Sequence, residues 1–273
     1  MDRQLKVNSL KCVRCGLCLE VCPMKSLVFS ADFQPKFGKD GEERCTGCQH
    51  CLAICPQKAI SICGKDPEDS AEVSPLPNAD DMLRLIQSRR SIRKYRHEAL
   101  ENETLDKLLD MLRWVPTGVN NHSLHFSVIR DLAVMDDIRE KVNAQFREWL
   151  ALEEPPPAAA LMMRYKNQVM AGLDVIFRGA PHLIVAAVPE NAPCANYDPI
   201  IALSYFELYA KSLGIGTCWC GLAAAALFAV PGVAERLGIP ENYRLGYAML
   251  FGPTDRQFLR STQPEAVSLF EVK

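Results

Sequence analysis

The chain has 273 residues, 48% of them hydrophobic and 23% charged, with a formal net charge of −2. That is ordinary globular composition, and the length allows one large domain or a large one beside a small one. A core of this size folds without staples, so the 12 cysteines serve something other than stability. A near-neutral charge with no basic stripe excludes nucleic acid or an acidic membrane surface as a first reading.

The opening residues, Met1 to Lys6, lack the apolar run of a secretory signal. With so many thiols, the expectation is a cytoplasmic protein. Eight cysteines lie between residues 12 and 55, in two sets: Cys12-x2-Cys15-x2-Cys18-x3-Cys22-Pro23 and Cys45-x2-Cys48-x2-Cys51-x3-Cys55-Pro56. The second set repeats the first at an offset of 33, and the match extends to Lys11 with Arg44, Lys25 with Lys58 and Leu27 with Ile60. Three thiols two residues apart fit one face of a cuboidal cluster, while the fourth, before proline, reaches the other cluster. The expected ligand sets are Cys12, Cys15, Cys18 and Cys55 for one [4Fe-4S] cluster and Cys45, Cys48, Cys51 and Cys22 for the second. Zinc or disulfides are the plainer alternatives, but neither explains the twinned third and fourth cysteines with their prolines. On these motifs residues 1–66 resemble bacterial two-cluster ferredoxins. The resemblance implies a small α/β sandwich around two clusters that pass single electrons. Phe33, Phe37 and Gly38 predict a hairpin between the repeats. Cys63, Cys194, Cys218 and Cys220 stand outside the pattern, and each is expected to be a buried, inert thiol.

Residues 67–79 read as a linker, within a proline-rich, acidic stretch that begins at Gly64. Asn78 is a plausible cap for a helix through Met82, Leu85 and Ile86. Asn102 is expected to cap a helix with Leu105, Leu108, Leu109 and Leu112 on one face. His125–Ile129 reads as a strand, and Asp131 to Leu150 as a helix. Pro181–Val188 reads as a strand buried on both faces. Asp198 as N-cap and Pro199 at the first turn open a further helix that stops at Gly214. Residues 212–234 carry no charge, but their glycines and Pro231 read as strand, loop and short helix rather than a membrane span. Tyr243–Phe251 supplies a final strand. The expected fold class of residues 80–273 is α+β or α/β.

Gly214-Ile-Gly216 to Gly221 has the wrong spacing for a dinucleotide fingerprint and follows a helix rather than a strand. Arg89-Arg90-Ser91-Ile92-Arg93-Lys94-Tyr95-Arg96 places five basic residues among eight. Guanidinium forks with a serine suit a phosphate dianion, although charge alone also fits a solvated helix end. Pro116-Thr117-Gly118-Val119-Asn120-Asn121-His122 is a polar loop between helix and strand.

In this order and spacing, the segments resemble the FMN-dependent nitroreductase family, whose RRSxRxF motif is matched here with Tyr95 as its last residue. Pro116, Thr117, Gly118, Asn120 and Phe126 match a second family motif, and Leu213 to Gly221 a third. The whole is therefore expected to be α+β: a small two-cluster ferredoxin-like domain followed by an FMN-dependent nitroreductase-like domain. The resemblance implies that Arg89, Arg90, Ser91 and Arg93 hold the FMN phosphate, ribityl chain and pyrimidine edge, with Arg260 and Arg256 reaching the phosphate. Pro116, Thr117, Gly118 and Asn120 would line the isoalloxazine, and Gly221 and Leu222 would approach its N5 region. The family's Gln-Pro-Trp is replaced by His122-Ser123-Leu124, which makes His122 a candidate proton donor; no other catalytic side chain is implied. His125 is expected to be structural.

The function expected from this resemblance is an oxidoreductase in which two [4Fe-4S] clusters exchange electrons with FMN. Its acceptors would be nitroaromatics, quinones or similar electron-poor small molecules. NAD(P)H or a reduced ferredoxin or flavodoxin would be the donor, and the assembly a homodimer. The alternatives are an electron-transfer protein serving a protein partner, or a dehalogenase-type member of the same superfamily.

Overall fold

The computed structural model describes residues 3–272; Met1, Asp2 and Lys273, which belong to the expected signal-free start and domain limits, lie outside the described residues. The chain divides into two compact units. One runs to Leu76 and takes in Val119–Asn121; the other comprises Pro77–Gly118 and the chain from His122 onward.

In the first unit the sequence duplication is also a structural one. Helix α1 (Leu17–Glu20) and strand β2 (Leu27–Phe29) recur 33 residues later as α3 (His50–Ala53) and β4 (Ile60–Ile62). Between them lie β3 (Pro35–Phe37) and α2 (Gly41–Arg44). Strand β1 (Leu5–Val7) pairs antiparallel with β4, and β2 pairs with β3 as the expected hairpin. The turn after each fourth cysteine is repeated in detail. Lys25 N–H donates to Cys22 O and Lys58 N–H to Cys55 O, each at 3.1 Å. Part of the stretch read as linker belongs to this unit. Asp66 caps a short 3-10 turn, Pro67–Asp69, and Glu68 pairs with both Lys11 (2.7 Å) and Lys58 (3.3 Å).

The second unit is built on a four-stranded antiparallel sheet in the order β5-β6-β8-β7, formed by His125–Ile129, His182–Pro189, Tyr243–Gly252 and Gly216–Trp219. Its α+β character follows from the antiparallel pairing of every strand. Strand β6 is buried on both faces. Leu183 and Val185 point into one core with Ala248 and Leu250 of β8, while Ile184 and Ala186 point into another with Met249 and Phe251. The first core is closed by α6 (Leu132–Ala151) and α9 (Gly221–Ala229), the second by α5 (Asn102–Asp110) and α8 (Asp198–Ser212). Helix α6 buries Met135, Ile138, Val142 and Phe146, the three- and four-residue spacing of an amphipathic helix. A five-residue helix, α7 (Lys166–Met170), adds Val169 to that core.

Asn78 caps α4 (Ala79–Ser88) by accepting from Asp81 N–H at 2.8 Å, and Asp131 caps α6 in the same way. Two expected caps fall elsewhere. Asn102 is the first helical residue of α5, and Glu101 occupies the cap. Asp198 lies inside α8, with Tyr197 at its cap, because its carboxylate is taken by another backbone group described below. No described helix is long and apolar enough to cross a membrane. Cys218 and Cys220 are buried as expected, whereas Cys63 and Cys194 are half-exposed.

His182 starts β6 without any exposure. Its Nε2 accepts from Leu100 N–H at 2.9 Å, so Nδ1 carries the proton and donates to Ile129 O at 3.1 Å. Burial holds this imidazole below the usual histidine range, and the Ile129 carbonyl opposes the shift. The neutral ring is therefore the folded form, with its stabilisation complete above about pH 6.5 and lost as the pH falls below that value. Thermal melts at pH 7.5 and 5.5 are expected to show a steeper loss in the wild type than in His182→Asn. The difference should not exceed about 1.4 kcal/mol per pH unit.

Candidate functional site

The eight motif cysteines form two groups that cross the repeats. One cavity is lined by Cys12, Cys15, Cys18 and Cys55, a second by Cys22, Cys45, Cys48 and Cys51. The crossing follows from the short helices, since α1 and α3 each turn a third cysteine inward while the chain beyond carries the fourth away. Several backbone donors already face these sulfurs. Ser26 N–H points at Cys22 Sγ (3.3 Å), Ala59 N–H at Cys55 Sγ (3.2 Å) and Gly47 N–H at Cys45 Sγ (3.4 Å). Such bonds favour thiolates and tune a bound cluster. The four thiols of each group surround a shared space, an arrangement suited to a multi-atom cluster.

In the second unit the RRS segment runs beside β7. Ser91 bridges in parallel to Thr217, and Ile92 N–H donates to Thr217 O at 2.7 Å. The approach requires Gly216, where a Cβ would lie 2.9 Å from both Ile92 and Thr254 side-chain carbons. This packing opens a cavity of about 230 Å³ whose lining includes Arg89, Arg90, Lys211, Gly216, Thr217 and Arg256. Four cations around one small space suit a phosphate dianion. Lys211, in the last turn of α8, was missed by sequence reasoning because a lysine at a helix end is commonplace there.

The other expected flavin residues are distributed differently. Arg93 is exposed, and its charge reaches Tyr95 and Cys218. Arg260 is exposed and does not line the cavity, since the chain beyond Pro253 leaves the sheet without regular structure. Gly221 is exposed and Leu222 half-buried at the start of α9. Asn120 groups with the first unit, and its side-chain amide donates to Thr46 O at 3.2 Å.

Pro116, Thr117 and Gly118 stand together, and their conformation is fixed from α8. Asp198, 2% exposed, accepts from Gly118 N–H through both carboxylate oxygens at 3.0 and 3.1 Å. A Cβ at Gly118 would lie 2.5 Å from Cys194 Sγ, so only glycine fits. Thr117 Oγ1 accepts from His122 N–H at 3.0 Å, closing the loop on itself, and the His122 side chain is exposed. His125 packs edge-on against Tyr243 at 6.1 Å, in keeping with a structural role. Cys220 caps α9, accepting from Ala223 N–H at 3.4 Å while donating to Ile176 O at 3.1 Å. Burial pushes its thiol up to about 11 and also raises Cys218, so both stay protonated and inert.

Residues 86–253 match the model of the nitroreductase family. The chain belongs to this family. Residues 11–59 match the model of a 4Fe-4S dicluster domain, which makes the protein a fusion of the two. A protein named provisionally as an NADH dehydrogenase/NAD(P)H nitroreductase from Methanothermobacter thermautotrophicus is 28% identical over 59% of this chain and 71% of its own. Among solved structures, a Bacteroides fragilis nitroreductase with bound FMN has a TM-score of 0.58 at 20% identity, covering 72% of this chain and all of the other. A Desulfitobacterium hafniense nitroreductase with bound FMN has a TM-score of 0.56 at 24% identity, with the same coverage. These two likenesses establish the fold.

Replacing Asp198 by Ala leaves the Gly118 N–H without its acceptor. Urea denaturation is expected to show a loss of about 1–3 kcal/mol.

Proposed function

We propose that this protein is an FMN-dependent oxidoreductase in which two [4Fe-4S] clusters exchange electrons with FMN, and that it reduces nitroaromatics, quinones or similar electron-poor small molecules. The observation that carries the reading is the pairing of two crossed four-thiol cavities with a cation-lined cavity in one nitroreductase-family chain. The clusters supply single-electron carriage, and FMN supplies a centre that accepts electrons singly and delivers them in pairs.

Cys12, Cys15, Cys18 and Cys55 would hold one cluster, and Cys22, Cys45, Cys48 and Cys51 the other. The N–H groups of Ser26, Gly47 and Ala59 would donate to their sulfurs. Arg89, Arg90, Lys211 and Arg256 would bind the phosphate and neutralise it beside β7. Ser91 and Arg93 would meet the ribityl chain and pyrimidine edge. Pro116, Thr117 and Gly118 would present a flat wall to the isoalloxazine, which Asp198 keeps from moving. Gly221 and Leu222, at the first turn of α9, would offer backbone N–H groups where negative charge is favoured. His122, exposed beside Thr117, is the side chain available to hold a proton for the substrate. The exposed apolar residues Met82, Leu83 and Ile86 of α4 and Ile200, Ile201 and Tyr205 of α8 support a homodimer. The two-domain layout, 1–66 and 80–273 about a linker, remains the organisation we propose for the activity.

The crossed ligation is tested by iron content. Cys55→Ser or Cys12→Ser is expected to remove one cluster, lowering iron from about eight to about four atoms per chain. The double variant Cys12→Ser/Cys55→Ser should keep about four, while Cys22→Ser/Cys55→Ser should lose nearly all. Electron entry is tested by titrating the loaded protein anaerobically with NADH, NADPH and then dithionite. Bleaching of a flavin band by a nucleotide identifies a direct hydride donor, whereas bleaching by dithionite alone excludes NADH and NADPH as donors. A loaded protein with no flavin band would refute the FMN reading.

A further inference from the structure

Glu207 occupies a position where the apolar face of α8 calls for a hydrophobic side chain. It lies between Phe206 and Ala210 on the buried stripe and is 6% exposed. A carboxylate in such surroundings is strongly disfavoured unless its oxygens are hydrogen-bonded. Three donors reach it. Trp219 Nε1–H donates to Oε2 at 2.9 Å, while Thr217 Oγ1 (3.3 Å) and Arg89 Nη1 (3.4 Å) donate to Oε1. Thr217 and Trp219 belong to β7, and Trp219 in turn packs edge-on against Tyr247 at 5.3 Å. The carboxylate is thereby fixed from the sheet, and its free edge meets a guanidinium that lines the cation-rich cavity.

We propose that Glu207 is a positioning residue for cofactor binding: it holds one edge of the Arg89 guanidinium so that the opposite edge is presented to the phosphate of FMN. The proposal rests on reading that cavity as the phosphate site. An arginine side chain has many rotamers and five N–H donors in one plane, so fixing one edge orients the rest. The need is acute here because Arg90, Lys211 and Arg256 line the same space and repel Arg89. Glu207 offsets that repulsion from behind, without occupying the cavity. Asp198, the other buried carboxylate of α8, serves the Pro116–Gly118 loop. One helix thus positions both ends of the proposed flavin site, through two buried acids nine residues apart.

The test compares FMN with riboflavin, which lacks the phosphate but shares the ring system and ribityl chain, by equilibrium dialysis of cluster-loaded protein. Glu207→Gln is expected to weaken FMN about tenfold, the effect of losing one charge-assisted hydrogen bond, and to leave riboflavin within about twofold. In an Arg89→Met background the same substitution is expected to change FMN affinity by less than about twofold, because the group it orients is gone. Equal weakening of FMN and riboflavin overturns the proposal in favour of a general packing role. Unchanged FMN affinity in Glu207→Gln, with Arg89→Met weakened, also overturns it while sparing the phosphate-site reading. Unchanged affinity in Arg89→Met refutes that reading and the proposal with it. If Glu207→Gln does not fold, Glu207→Asp takes its place, since the shorter side chain keeps the charge but withdraws the carboxylate from Arg89. Selective loss of FMN is then expected, and an unaltered FMN-to-riboflavin ratio overturns the proposal.

Discussion

The second unit depends on the two-sided burial of β6 and β8. A strand exposed on one face would need a helix only on the other. Here alternate residues feed two separate cores, so helices must cover both faces. That requirement brings α8 against one face and α9 against the other, with β7 carried to the edge between them. The candidate flavin residues lie at the ends of these elements: the RRS segment beside β7, the Pro116 loop over α8, and Gly221 at the head of α9. Their positions follow from how the sheet is covered.

Polar groups placed inside this frame carry a cost that identifies their use. Asp198 and Glu207 are buried on the same helix, and both spend their hydrogen-bonding capacity on groups outside it. The acids are therefore best understood through what they hold, a loop N–H in one case and an arginine in the other. His182 is different, since its two bonds close the backbone of Leu100 and Ile129 and serve the fold alone.

Much of this was legible in the sequence. The cysteine spacing and the offset of 33 revealed a duplicated unit, and the duplication recurs in the chain fold as α1 and β2 followed by α3 and β4. The strand at Pro181 was visible from its continuous apolar run, those at His125 and Tyr243 from their place in the alternation of helices and strands, and α6 from its spacing. What escaped was long-range. Asp198 looked like a cap because Asp-Pro commonly opens a helix, and nothing nearby reveals that Gly118, 80 residues earlier, claims its carboxylate. Glu207 carried no local signal, since the arginine it holds lies 118 residues earlier in the chain. Asn120 was assigned with its loop neighbours, yet its amide bonds to Thr46.

The interlaced cavities of the first unit also set an order of events during synthesis. Cys12, Cys15 and Cys18 leave the ribosome early, but the wall that completes their cavity includes Cys55, Pro56 and Ile60. The second cavity waits in the same way on Cys51 and on Ile62 of β4. Neither half of the duplication encloses a complete site by itself, so a nascent chain halted between the repeats presents only open thiols. Each cavity also takes a residue of β4, Ile60 in one and Ile62 in the other, so neither is complete until that strand has paired with β1.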